Sequence, residues 1–157
     1  MPTKTPTSTQ SDLNDTSGKW TDDEISAMKE HAKELKTAKK RAGKDAAAEG
    51  EADVLAKIKE MPGPDKAIAA KIHEIVKANA PELASRTWYG MPAYTKNGKV
   101  VCFFKAASKF DGRYATFGFE DQAALDDGDM WPTSYAVEKL TPAGEKLIAE
   151  LVRKAAG

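Results

Sequence analysis

An Asn97-Gly98 pair separates Tyr94–Lys96 from the run Lys99–Lys105 (KVVCFFK), and no other feature of the chain limits its fold as strongly. Both residues tolerate the positive φ of a type I′ turn, whose twist matches that of two antiparallel strands. The pair therefore predicts a hairpin that begins at Tyr94 and returns through Lys105. Neighbouring segments extend it into a sheet. Thr87-Trp88-Tyr89 reads as a strand entering a tight bend at Gly90-Met91-Pro92, Arg113–Phe119 (RYATFGF) as another strand, and Ser134–Val137 as a last short one. Glu120 to Leu125 is expected to form one short helical turn before the loop Asp126-Asp127-Gly128-Asp129.

Upstream of Arg86 the apolar period is helical instead. Thr21 and Glu24 have capping-box spacing, Trp20 is placed to staple onto Ile25, and Ile25, Met28, Ala32 and Leu35 mark one face of a first helix. Val54, Leu55, Ile58 and Met61 mark a second helix, which Pro62-Gly63-Pro64 ends. A third carries Ile68, Ala69, Ile72, Ile75 and Val76, with Asp65 in its first turn. Thr141-Pro142 opens a final helix bearing Leu147, Ile148, Leu151 and Val152. Helices followed by an antiparallel sheet and a closing helix predict an α+β fold, a small sheet packed by helices on one face. Residues 1–19 are polar, with Leu13 the single apolar residue after Met1, and read as a disordered tail. Residues 20–50 read as an accessory helix plus a basic and Ala-rich link, and residues 51–157 as the α+β domain.

Charge narrows the function classes. The 157 residues hold 24 basic and 24 acidic side chains, so no global field draws the protein to nucleic acid or anionic lipid. A single cysteine, Cys102, excludes an internal disulfide and suits a reducing compartment. No run approaches the roughly 20 apolar residues of a membrane-spanning helix, and the first residues resemble neither a secretory signal nor a transit peptide. The expected compartment is the cytoplasm, with no membrane partner.

Eleven of the 12 aromatic residues lie between Trp88 and Tyr135. Most are expected in the core or on the sheet. Trp88, Tyr94, Tyr114 and Trp131 carry polar tips and, with Gly90, Met91, Pro92 and Phe104, form a candidate ligand pocket. The same stretch carries a resemblance. Trp88-Tyr89-Gly90-Met91-Pro92-Ala93-Tyr94, Asn97-Gly98-Lys99 and Val101-Cys102-Phe103-Phe104 closely resemble the YdhG-like family of bacterial domains of unknown function. Thr116-Phe117-Gly118-Phe119, Leu125-Asp126-Asp127-Gly128 and Met130-Trp131-Pro132 are similar to that family's later segments, so the likeness spans roughly residues 51–155. It implies a small antiparallel sheet packed by helices, similar to the frataxin shape. One branch of the family is described as a frataxin-like intracellular iron chaperone, and none of its ligand residues is carried over to this chain.

Glu120, Asp121, Asp126, Asp127 and Asp129 place five negative charges within ten residues, a candidate weak site for a hard cation such as Fe(II). A solvated acidic loop is the alternative. His31 and His73 are expected on helix surfaces, and Cys102 buried and unreactive. Six basic residues between Arg86 and Arg113, and five within Lys36–Lys44, read as solvated surface, so nucleic acid is not an expected partner. No nucleophile motif or phosphate-cradling loop occurs, and no catalytic constellation is visible. Three readings follow in order: a non-enzymatic carrier of the YdhG-like family handling iron through surface carboxylates, a small-molecule binding module using the aromatic stretch, and a nucleic-acid or protein adaptor. Protein partners are not specified by the sequence.

Overall fold

The computed structural model describes residues 20–40 and 43–157, and the tail expected over residues 1–19 lies outside them. In chain order the elements are α1 (Asp22–Lys40), α2 (Gly43–Glu60), α3 (Gly63–Asn79), β1 (Ala84–Trp88), β2 (Met91–Lys96), β3 (Lys99–Lys105), a 3₁₀ turn (Ala107–Phe110), β4 (Ala115–Phe119), β5 (Ser134–Val137) and α4 (Pro142–Ala156). The five strands form an antiparallel meander in the order β1-β2-β3-β4-β5. The protein is an α+β fold, with helices packed on the sheet.

Strand alternation decides what faces the helices. The pairs Tyr94↔Cys102↔Phe119 and Phe104↔Phe117↔Tyr135 lie on one face. They meet Val54 and Ile58 of α2, Ile68, Ile72 and Val76 of α3, and Ile148 and Val152 of α4 in one core. A bulge leaves Val101 unpaired between the Tyr94↔Cys102 and Thr95↔Val100 pairs. Both Val101 and Cys102 then enter the core. On the opposite face Phe103 lies across Gly118, where a Cβ would come within 2.4 Å of its ring, and Trp88 packs against Phe103 at 5.5 Å between centroids.

The helix starts follow their caps. Thr21 Oγ1 accepts from Glu24 N–H, and Thr141 Oγ1 from Gly144 N–H, each at 3.1 Å. Three expectations need correction. The Ala-rich link is helical: α2 begins at Gly43, because alanine is the best helix former and Gly50 lets this helix touch β1. The bend at Gly90-Met91-Pro92 moves back by one residue. Tyr89 (φ 52°) and Gly90 (φ 76°) form the turn, while Met91 and Pro92 belong to β2. Pro92 is tolerated because the β2–β3 ladder begins only at Ala93↔Phe103, so no amide donor is required there. Finally, Glu120 to Leu125 forms no helix, only a turn in which Ala123 N–H reaches Glu120 C=O at 3.0 Å.

Candidate functional site

Helix α1 docks with its polar side. Ala27 is buried, and Glu30, His31, Glu34 and Thr37 follow it at helical spacing toward the domain. The type I′ turn after β1 leaves two amides pointing outward. Glu34 takes both: Tyr89 N–H donates to Oε2 and Gly90 N–H to Oε1, each at 2.9 Å. The His31 ring stacks on Tyr89, 3.9 Å between centroids and 10° from parallel. Beside them Glu30 Oε2 lies 3.5 Å from both Lys57 Nζ of α2 and Lys109 Nζ of the 3₁₀ turn. Charge-assisted hydrogen bonds of this kind contribute about 1.5–3 kcal/mol each, so Glu34 is the principal anchor of α1.

Between α1 and α2, with β1 as its floor, lies a cleft of about 430 Å³. Helix α1 contributes Glu30, Lys33, Glu34, Thr37 and Ala38, and α2 contributes Ala46, Gly50, Asp53, Ala56, Lys57 and Glu60. Ser85, Arg86 and Thr87 come from the strand. The cleft is narrow at one end because α2 almost touches β1. A Cβ on Gly50 would stand 2.3 Å from the Ser85 carbonyl oxygen.

The acids and the cations of this cleft differ in how they are used. Glu30 is paired with Lys57 and Lys109, Glu60 with Lys57, and Glu34 with the turn amides. Asp53 also has a partner. Arg86, in contrast, donates only its Nε–H, to the Thr87 carbonyl at 3.3 Å, and the Lys33 ammonium has no partner among the described residues. A guanidinium carries five N–H donors, so Arg86 keeps most of its capacity for an incoming oxyanion.

Behind the cleft sits a polar chain through the core. Tyr94 and His73 are buried, and Tyr94 Oη lies 3.0 Å from His73 Nδ1. His73 Nε2 is 3.2 Å from Glu51 Oε1, and Lys77 Nζ donates to Glu51 Oε2 at 3.4 Å. The hydrogen bond from His73 holds the Glu51 carboxyl below the usual glutamate range, and Lys77 adds to the effect. An ionised Glu51 only accepts, so Nε2 carries the proton, and a neutral ring then receives the Tyr94 O–H at Nδ1. Burial pushes the Tyr94 phenol up, out of the range where it would ionise. Fully enclosed by the core, Tyr94 holds the sheet to α3 and reaches no ligand.

The candidate aromatic pocket therefore separates. Tyr94 and Phe104 are core residues with no exposed surface. Trp88 and Met91 stand on the opposite face of the sheet, by strand alternation from the Trp88↔Met91 pair. Pro92 is buried within β2, and Gly90 is buried in the turn under Glu30. Tyr114 is exposed beneath Arg113, whose guanidinium lies 5.1 Å from its ring, and Trp131 packs against the edge of the core. None of these residues lines the cleft. The carboxylates Glu120, Asp121, Asp126, Asp127 and Asp129 are not drawn together either. Among the described residues no three His, Cys, Asp or Glu side chains converge as a metal site. Asp121, Asp126, Asp127 and Asp129 are exposed, and Glu120 is half-buried.

His73 corrects the expectation of a surface histidine, because Tyr94 and Glu51 satisfy both ring nitrogens and make its burial tolerable. His31 is half-buried against Tyr89. Cys102 is buried, and burial pushes its thiol up to about 12, so it is unreactive. Lys33, Glu34, Gly50 and Arg86 were not marked by any motif. Their signal is positional: polar residues at helical spacing along α1, and an arginine in the middle of the first strand. No described helix is long and apolar enough to cross a membrane. Comparison with models of known families, with curated proteins and with solved structures finds no match to this chain.

Proposed function

We propose that this protein is a non-enzymatic cytoplasmic binding module that takes a small anionic organic molecule, a carboxylate or phosphomonoester, in the cleft between α1, α2 and β1. The observation that carries the reading is the unequal use of charge there. Glu30 and Glu60 are engaged with lysines, Glu34 with amides, and Asp53 also has a partner, whereas Arg86 and Lys33 have donors to offer. Its volume, about 430 Å³, suits a metabolite-sized ligand. Resemblance of the Trp88–Tyr94 stretch to YdhG-like bacterial domains supports a binding or carrier role over catalysis. Iron carriage through Asp126, Asp127 and Asp129 takes second place, because those carboxylates lie apart.

The test is a thermal-shift screen of small di- and tricarboxylates and phosphomonoesters, followed by calorimetry on any member that stabilises the protein. Arg86→Ala is expected to weaken the bound member about tenfold or more, and Lys33→Ala by less, since each removes a charged donor. The triple Asp126→Asn, Asp127→Asn, Asp129→Asn variant is expected to bind as the parent does. No binding across the panel, or affinity indifferent to Arg86, rejects the cleft. Anaerobic Fe(II) binding that the triple variant loses would replace this reading with the carrier one.

A further inference from the structure

Helix α1 is amphipathic in the wrong sense for a helix that belongs to one domain. Its polar side is docked, through Glu30, His31 and Glu34. Its apolar side, Ile25, Met28, Ala32 and Leu35, faces solvent, with the first, second and fourth 37%, 39% and 47% exposed. Among the described residues nothing covers this stripe, and an exposed apolar face of this kind needs a cover.

Three features of the stripe point to its own copy. The spacing 25, 28, 32, 35 is palindromic, so an antiparallel two-fold axis near residue 30 lays the stripe on itself. In that register Ile25 meets Leu35 of a second copy, and Met28 meets Ala32, so that long side chains face short ones in the centre. A parallel pairing would instead set Ala32 against Ala32 and leave a gap. Charge agrees with this at the ends: Asp22 of one helix comes beside Lys36 of the other, twice. Lys29 meets its own copy across the axis, and its long stem lets the ammonium reach water. Residues 1–19, by contrast, offer only Met1 and Leu13 as apolar groups, too few to cover the stripe.

We infer that α1 is a dimerisation helix, pairing antiparallel with α1 of a second copy through Ile25, Met28, Ala32 and Leu35. The interface is short, so the dimer is weak, with a Kd on the order of 10–100 µM. Sedimentation velocity of the full chain from about 5 to about 500 µM is expected to show reversible monomer–dimer exchange. Met28→Glu is expected to abolish it, with far-UV circular dichroism and melting temperature unchanged, because the side chain is exposed in the monomer. Lys36→Glu and Asp22→Lys should each weaken the dimer about two- to tenfold, and the double variant should restore it. A monomer throughout the range overturns the proposal, as does a dimer that survives Met28→Glu. Failure of the double variant to restore association overturns the antiparallel register. If deletion of residues 1–19 creates a dimer that the full chain lacks, those residues cover the stripe and the proposal fails.

Discussion

The two tight turns of the meander have nearly the same backbone and opposite surroundings. Tyr89-Gly90 has φ values of 52° and 76°, and Asn97-Gly98 has 54° and 78°. Around Gly98 nothing lies within 4 Å of where a Cβ would stand, whereas at Gly90 that position is 1.6 Å from Glu30 Oε2 and 2.5 Å from Lys109 Nζ. One turn is a solvent-facing reversal whose chemistry is all local. The other is the seat of α1, closed by a carboxylate from 55 residues earlier in the chain. Identical geometry can thus serve connection alone or the assembly of a site, and only the neighbours distinguish the two uses.

Removing the neighbour is the most severe way to break the contrast. Glu34→Ala leaves the Tyr89 and Gly90 amides without their acceptor and is expected to cost about 2–3 kcal/mol in urea unfolding. Amide exchange should accelerate at Tyr89 and Gly90 and stay unchanged at Gly98. Unchanged exchange at Tyr89 and Gly90 in the variant would mean that α1 is held by something other than Glu34. The glycines themselves offer a finer comparison. Gly98→Ala meets only the strain of positive φ, about 1–2 kcal/mol. Gly90→Ala meets the same strain and also displaces Glu30 from Lys109, so it should exceed Gly98→Ala by up to about 1 kcal/mol. Equal losses at the two positions would show that Glu30 swings aside freely.

The same contrast explains what the sequence disclosed. Asn97-Gly98 is legible because a type I′ turn with an open periphery depends on its own two residues, and β3 follows at Lys99–Lys105 as expected. The turn at Tyr89-Gly90 lies one residue before its sequence signal because tyrosine rarely takes positive φ unaided, and its stacking on His31 and capping by Glu34 are long-range. The α2, α3 and α4 stripes were legible because Val54, Ile58, Ile72 and Val152 bury themselves by period alone. For α1 the period marks a face but leaves open which way it turns. Hydrophobic spacing finds a face but does not say whether it turns inward, and here the hydrogen bonds of Glu34 decide. The cleft escaped notice for a related reason: Lys33, Gly50 and Arg86 come from three separate elements and share no motif.

Glu51 provides the smallest and most selective comparison, because it is a second carboxylate that fastens distant elements. Where Glu34 binds neutral amides, Glu51 binds His73 and Lys77, and the hydrogen bond from His73 lowers its pKa from the usual 4.5. A carboxyl depressed in the folded state contributes stability that is fully present above its unfolded value, about 4.5, and is lost as pH falls through the lower folded value. The side chain is 35% exposed, so solvent screens the interaction and the effect is modest. Melting temperature measured from neutral pH downward should fall more steeply below pH 4.5 in the parent than in Glu51→Gln, by about 1–3 °C. The two curves should run parallel above that value, with the variant lower. Parallel curves through the acid range would place the acid-sensitive contact elsewhere. They would leave the Tyr94–His73 pair, enclosed by the core, as the part of this network that joins α3 to the sheet.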